Sequence, residues 1–454
     1  MIHRQVFALA LFAAPGILGA QSPDSTLNSI LQERVTSKRA VGLVVGTIEK
    51  GKSHVYTAGS SGSSAPLDGN SVFEIGSVTK VFTTAILADM VRRGEVKLDD
   101  PVSKYLPASV KVPSRGGKKI TLLDLATQSS GLPRMPDNFK PANPENPYAD
   151  YSVQQMYDFL SGYTLPRDIG SRFEYSNLGV GLLGHALSLR AQKSYEALAT
   201  ERILKPLGMN DTRITFTPAM MAHLAVGHTA TGAVVSNWDL PTLAGAGALR
   251  STMNDMLKFL GANLDSTRGP VALDLARAHI AIRNTDQPSM RIGLAWLTLT
   301  PFGAPITWHN GGTGGYHSFI GFDPMNNRGI VILANSTASI DDIGLHTLEP
   351  RIPLAVAAVA KPHTEIAIDP SKLDAYVGEY QLAPSFSLTM TKENGALFAQ
   401  ATGQPKFPLF PESETDFFLK VTDAQVTFVR GADGKVDSIV LHQAGQNIPG
   451  KRIK

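Results

Sequence analysis

Phe73-Glu74-Ile75-Gly76-Ser77-Val78-Thr79-Lys80-Val81-Phe82-Thr83 is the stretch on which the fold turns. After Ser77 the apolar residues fall at helical period, with Val81, Phe82, Ala85, Ile86 and Met90 on one side and Gly94 placed as a C-terminal stop. The pattern predicts a helix that starts at the serine and carries an amine three residues on, so the Ser77 hydroxyl and Lys80 share one face. A serine hydroxyl is a poor nucleophile until a base takes its proton, and a lysine can be that base when burial depresses its pKa. The first turn of the helix adds backbone N–H groups suited to a developing oxyanion. Taken alone, the spacing also fits an N-cap serine followed by a solvated lysine. What surrounds it decides.

Upstream, Val41 to Ile48 and Ser53 to Ala58 read as a hairpin turning at Lys50-Gly51-Lys52. Downstream, helical patches at Leu122 to Thr127, Val153 to Leu160, Leu178 to Ala191 and Tyr195 to Ile203, separated by proline-rich loops, predict an all-helical lobe. Strand patterning returns at Arg291 to Thr298, Ile306 to His309, His317 to Phe322 and Ile330 to Ala334, and the early and late strands are expected to share one antiparallel sheet. Beyond about residue 365 the texture changes to short strands with turns at Glu393-Asn394-Gly395 and Ala432-Asp433-Gly434. The expected organisation is a signal peptide over 1–20, a catalytic domain over 21–360, a linker over 361–370 and a small β-barrel over 371–454.

Composition narrows the function classes. The 454 residues are 43% hydrophobic and 18% charged, ordinary for a globular chain, and a formal net charge of +3 without a basic run does not predict nucleic-acid binding. No cysteine is present, which removes disulfides, thiolate metal sites and a cysteine nucleophile. The 11 histidines show no His-x-His or His-Glu-x-x-His spacing, so neither a metal nor another cofactor is expected. Arg4, the apolar run from Val6 to Leu18 and small Gly19-Ala20 before Gln21 form a signal-peptide pattern. That run is too short for a stable membrane span, which needs roughly twenty residues. A periplasmic or secreted monomer acting on a small-molecule substrate is the resulting expectation.

The context of Ser77 is specific. Gly94-Glu95-Val96-Lys97-Leu98-Asp99-Asp100-Pro101-Val102-Ser103-Lys104-Tyr105-Leu106-Pro107 follows it, then Leu122-Leu123-Asp124-Leu125-Ala126-Thr127-Gln128-Ser129-Ser130-Gly131-Leu132-Pro133, Tyr175-Ser176-Asn177 and Ile203-Leu204-Lys205-Pro206-Leu207-Gly208-Met209. Trp308-His309-Asn310-Gly311-Gly312-Thr313-Gly314-Gly315-Tyr316 comes last, flanked by strands. Together, over about residues 27 to 350, these resemble the class C β-lactamases and their penicillin-binding relatives. The resemblance implies a β-lactamase/transpeptidase-like α+β fold, an antiparallel sheet flanked by helices beside an all-helical lobe, with the site between them; the C-terminal module resembles a lipocalin-like barrel. It makes Ser77 the acylated nucleophile, Lys80 its activator, Tyr175 a proton relay acting as phenolate or through lysine, and Asn177 the group orienting lysine and a substrate amide. The family's third element is normally Lys-Thr-Gly, and here it is His309-Asn310-Gly311, which puts β-lactam affinity in question. Gly312 N–H with Ser77 N–H is the implied oxyanion hole. His309, with an ordinary pKa near 6.5, is expected to meet the substrate carboxylate or the Tyr175 hydroxyl, and Asn310, Gly311 and the loop around Gln128 to line the cleft.

The leading reading is β-lactam hydrolysis through an acyl-enzyme on Ser77. Its alternatives are a D,D-carboxypeptidase or D-amino-acid amidase acting on cell-wall peptides, a carboxylesterase, and a non-catalytic cell-wall binder in which Phe386, Phe398, Phe417, Phe418 and Phe428 of the barrel line a pocket. What separates the first three is how fast water reaches the acyl-enzyme, which no motif encodes.

Overall fold

The computed structural model describes residues 23–355, 363–383, 386–402, 406–420, 424–431, 433–443 and 446–454. The signal-peptide reading of residues 1–20 lies outside them. One eight-stranded antiparallel sheet runs in the order Lys52–Gly59, Gly42–Glu49, Arg328–Ala334, His317–Asp323, Ile306–Gly312, Leu297–Leu299, Met290–Ile292, Arg283–Asn284. The early hairpin and the late strands do share it, through Leu43 opposite Ala334 and Glu49 opposite Arg328.

These central strands read as continuous apolar runs because both faces are covered. Leu43, Val45, Ile330 and Ile332 point to one face, against Leu27 and Leu31 of helix Pro23–Thr36 and Ile343 and Leu348 of helix Asp341–Leu348. Their neighbours Val44, Val331 and Leu333 point to the other, against Met253, Met256, Phe259 and Leu260 of helix Met253–Leu264. That second core is continuous with the helical lobe, where Phe82 stacks on Phe259 with ring centroids 4.0 Å apart.

The nucleophile segment lies at the junction. Val72–Glu74 pairs with Arg250–Thr252, a 3₁₀ turn spans Gly76–Val78, and helix Thr79–Arg92 follows, with Gly94 at φ +72° beyond its end. Sequence placed the helix start at Ser77; the serine instead sits in the 3₁₀ turn that leads into it. Two strand boundaries also differ. The single strand expected over Arg291 to Thr298 is two, Met290–Ile292 and Leu297–Leu299, because Gly293 and Trp296 close a turn that sends the Trp296 ring into the core against Phe259 and Phe322. The strand expected to end at His309 continues to Gly312.

The C-terminal region closes on itself. Eight strands from Gly378–Ala383 to Gln446–Arg452 form a barrel in sequence order, the last pairing with the first through Tyr380 opposite Arg452. Its interior is filled by Tyr376, Tyr380, Phe417 and Phe428, with Tyr376 and Phe428 ring centroids 4.5 Å apart. Phe417 and Phe428 are therefore packing residues, and Phe386 and Phe398 are only partly buried. Part of the expected linker belongs to the barrel: Ile366 N donates to Pro411 O at 2.9 Å, and His363 Nδ1 lies 2.8 Å from Glu412 Oε2.

Candidate active site

From Ser71 to Met90 every residue is buried except Ser77. The turn that exposes it is pinned from three sides: Ile75 N donates to Leu249 O at 3.0 Å, Ser318 Oγ donates to Ile75 O at 2.7 Å, and Val78 N closes on Ile75 O at 3.1 Å. Glycine is required where this turn meets strand Ile306–Gly312. Gly76 has φ +46°, and a Cβ there would lie 2.7 Å from Gly312 N; a Cβ on Gly311 would lie 2.2 Å from Ile75 O and 2.8 Å from Ser77 N. The two backbones touch, which brings the N–H groups of Ser77 and Gly312 to one place.

Lys80 is fully buried, and its Nζ has three neighbours: Ala246 O at 2.7 Å, Asn177 Oδ1 at 2.9 Å and Ser77 Oγ at 2.9 Å. No carboxylate pairs with it among the described residues. Burial, with the Arg134 charge second, pushes its pKa well below the ordinary lysine value. A neutral amine has two N–H groups and one lone pair. Ala246 O and Asn177 Oδ1 can only accept, so they take both hydrogens, and the lone pair is left facing the Ser77 hydroxyl.

The Tyr175 ring faces Lys80 Nζ, 4.9 Å from the centroid, and the Arg134 guanidinium, whose Cζ is 5.0 Å from it. Burial raises its phenol to about 12, against the opposing pull of the Ser77 hydroxyl and the Arg134 charge, so it stays protonated at neutral pH. The Tyr175-Ser176-Asn177 segment is clamped from behind. Ser176 N donates to Gln128 Oε1 at 2.7 Å, Glu174 N to Gln128 O at 2.7 Å and Asn177 N to Arg134 O at 3.0 Å, while Ser176 Oγ caps helix Asn177–Ala191 by accepting from Gly179 N at 2.8 Å. Asn177 Nδ2 then donates to Tyr148 OH at 3.3 Å, which fixes the amide so that its oxygen faces Lys80.

The structure gathers Ser77, Lys80, Tyr175, Asn177, Gly311 and Gly312 as the sequence suggested. Three of the expected contacts differ. Gln128 is buried, and its Oε1 holds Ser176 N while its Nε2 has no partner among the described residues. Asn310 alternates to the opposite face of the strand from His309, and its Nδ2 donates to Asp341 Oδ2 at 2.6 Å. His309 is only 2% exposed; its Nδ1 donates to Asn310 O at 2.6 Å, and its ring lies 6.4 Å from that of Tyr175. Burial and the neighbouring Lys80 lower its pKa to about 4, so it is neutral at pH 7 and cannot stand in for a lysine charge.

Several contributors left no motif. Ala246 acts through its carbonyl, Arg134 follows Pro133 at the end of a recognised stretch, and Tyr148 and Trp238 form an aromatic wall with ring centroids 5.4 Å apart. Trp238 N is held by buried Glu74 Oε1 at 2.9 Å, and Arg250 pairs with the same oxygen at 3.3 Å.

The family model Beta-lactamase matches residues 27–348. The chain belongs to the Beta-lactamase family. A second model, Domain of unknown function (DUF3471), matches residues 362–452, the barrel. Among curated relatives, D-alanyl-D-alanine-carboxypeptidase/endopeptidase AmpH of Escherichia coli K12 is 34% identical over 277 residues, 58% of this chain and 71% of that protein. A β-lactamase of Pseudomonas fluorescens is 27% identical over 351 residues, 69% of this chain and 93% of that protein. The crystal structure of a β-lactamase/D-alanine carboxypeptidase from Yersinia pestis in complex with citrate aligns with TM-score 0.64 at 25% identity, covering 73% of this chain and 98% of that one. Class C β-lactamase structures align at 23% identity and TM-score 0.62, covering 72% of this chain, and share the fold. The β-lactamase-type fold is thus supported by the family model, the relatives and the solved structures, and the C-terminal barrel by the eight closed strands. Among the described residues no helix is long and apolar enough to cross a membrane, and no cluster of three or more metal-ligating side chains occurs.

Proposed function

We propose that this member of the family is a serine hydrolase that opens β-lactam rings through an acyl-enzyme on Ser77. The observation that carries the reading is Lys80: buried, without a carboxylate partner, and with its Nζ 2.9 Å from Ser77 Oγ. Ser77 Oγ attacks the ring carbonyl as its proton passes to Lys80 Nζ. The N–H groups of Ser77 and Gly312 hold the oxyanion. Tyr175, protonated at neutral pH, gives its proton to the departing ring nitrogen and is resupplied from Lys80. Asn177 orients Lys80 and the substrate amide, and water then releases the acyl group.

A second reading, hydrolysis of D-alanyl peptides by the same acylation, has its own support. Strand Leu297–Leu299 pairs only with Ile306, Thr307 and Trp308, so the edge of strand Ile306–Gly312 from His309 onward is left beside Ser77 for an extended peptide. His309 is neutral, which weakens the case for tight capture of a β-lactam carboxylate. The proposed setting is periplasmic or secreted, with residues 1–20 removed as a signal peptide, and the proposed working form is a monomer.

The deciding experiment mixes the protein with a chromogenic cephalosporin and records product and intact mass, with Ser77→Ala as control. Steady turnover that vanishes in Ser77→Ala supports the β-lactamase. A stoichiometric adduct without turnover shifts the assignment to the peptidase, and neither adduct nor product refutes both.

A further inference from the structure

Most partly buried arginines of the catalytic domain pair with acids, as Arg202 does with Asp89 and Glu95, Arg283 with Asp124 and Arg328 with Asp323, and Arg213, which has no acid, donates to Thr212 O at 2.7 Å. Arg134 differs. Its guanidinium stacks on the Tyr175 ring at 5.0 Å, it is partly exposed on the cleft, and among the described residues it has neither an ion pair nor a side-chain hydrogen bond. Leaving a half-buried cation without a counter-ion is costly, and such a group gains most by pairing with an anion that arrives from outside. Its place is fixed: Arg134 O accepts from Asn177 N at 3.0 Å and Leu178 N at 3.2 Å, so the residue cannot drift from the start of helix Asn177–Ala191.

The side of the cleft is also defined. Arg134 stacks on the Tyr175 ring and its carbonyl holds Asn177 N, while the Asn177 amide donates to Tyr148 OH at 3.3 Å. Arg134 therefore lies on the same side of Ser77 as Asn177, the group that the family resemblance assigns to a substrate's acyl amide.

We propose that Arg134 is the receptor for an anionic group on the acyl side of the substrate, a carboxylate close to the scissile carbonyl. This rests on the reading of Ser77 as the acylated nucleophile. A guanidinium suits the role because its planar fork can bond a carboxylate bidentately. The substrate class it selects is an acyl donor with a negatively charged side chain, whether a β-lactam or a cell-wall peptide.

The test uses benzylpenicillin and carbenicillin, which differ by one carboxylate on the acyl side chain, and measures the second-order rate of Ser77 acylation by intact mass. In Arg134→Gln the carbenicillin-to-benzylpenicillin rate ratio is expected to fall about tenfold, and Arg134→Lys to restore part of it. In the wild-type protein the same ratio should decline with added salt, a readout that needs no variant. Benzylpenicillin acylation with an unchanged ratio, including an equal slowing of both substrates, overturns the role of Arg134 alone. Absence of acylation of the wild-type protein by either penicillin refutes the reading of Ser77, and this inference with it.

Discussion

The chain builds two eight-stranded β structures, and they solve opposite problems. The open sheet leaves half of strand Ile306–Gly312 without a partner on the side of Ser77, and the surrounding domain buries Lys80, Glu74, Asp89, Asp274 and Arg250. The barrel pairs every strand on both sides, and among its described residues every buried side chain is apolar or a tyrosine. Chemistry needs exposed backbone donors and groups held in disfavoured charge states; a scaffold needs neither. The difference assigns catalysis to the first structure and a stabilising role to the second.

Substitutions can break that division. Lys80→Ala should lower the rate of Ser77 acylation by about 10³–10⁴-fold, as expected for loss of a general base, while the barrel's melting transition stays in place. Phe428→Ala should cost the barrel about 3–5 kcal/mol in calorimetry and leave acylation unchanged. A parallel loss of acylation would mean that the barrel shapes the cleft. Gly311→Ala should reduce acylation about 10²-fold or more, because a methyl group there collides with Ile75 O and displaces the Ser77 N–H.

The two structures should also differ in pH dependence. Burial holds His309 near 4 and His279 near 3, against about 6.5 in the unfolded chain. Between those values the unfolded state binds more protons, so catalytic-domain stability should fall as pH drops from about 6.5 toward 4, by about 1.4 kcal/mol per pH unit for each histidine. The barrel has no buried histidine among its described residues and should lack this slope. His309→Asn should halve it in urea titrations at stepped pH.

What could be read in the sequence follows from periodicity. Ser77 and Lys80 stood out because one helical turn brings them together, and the sheet because its strands are apolar on both faces. Ala246 was illegible, since a carbonyl has no residue signature, and Arg134 was illegible because its lack of an acid partner depends on the fold around it and not on its neighbours in sequence. Two barrel strands were hidden by their own residues: Pro408 and Pro411 lie in Lys406–Pro411 and Pro449 in Gln446–Arg452, and proline argues against a paired strand. Gly378–Ala383, beyond the expected linker, was also not read as a strand. The neutrality of His309 depended on burial, which its neighbours in sequence do not announce.

The pairing of Leu43 with Ala334 joins residues roughly three hundred positions apart. As the chain emerges during synthesis, the amino-terminal hairpin must therefore wait for nearly the whole domain before its inner edge is covered. A topology so dominated by distant contacts folds slowly and exposes an unpaired apolar edge meanwhile. Assembly of the catalytic domain is thus timed by its last strand, and a refolding experiment should find the sheet and the power to be acylated appearing together, late, and after the locally connected barrel.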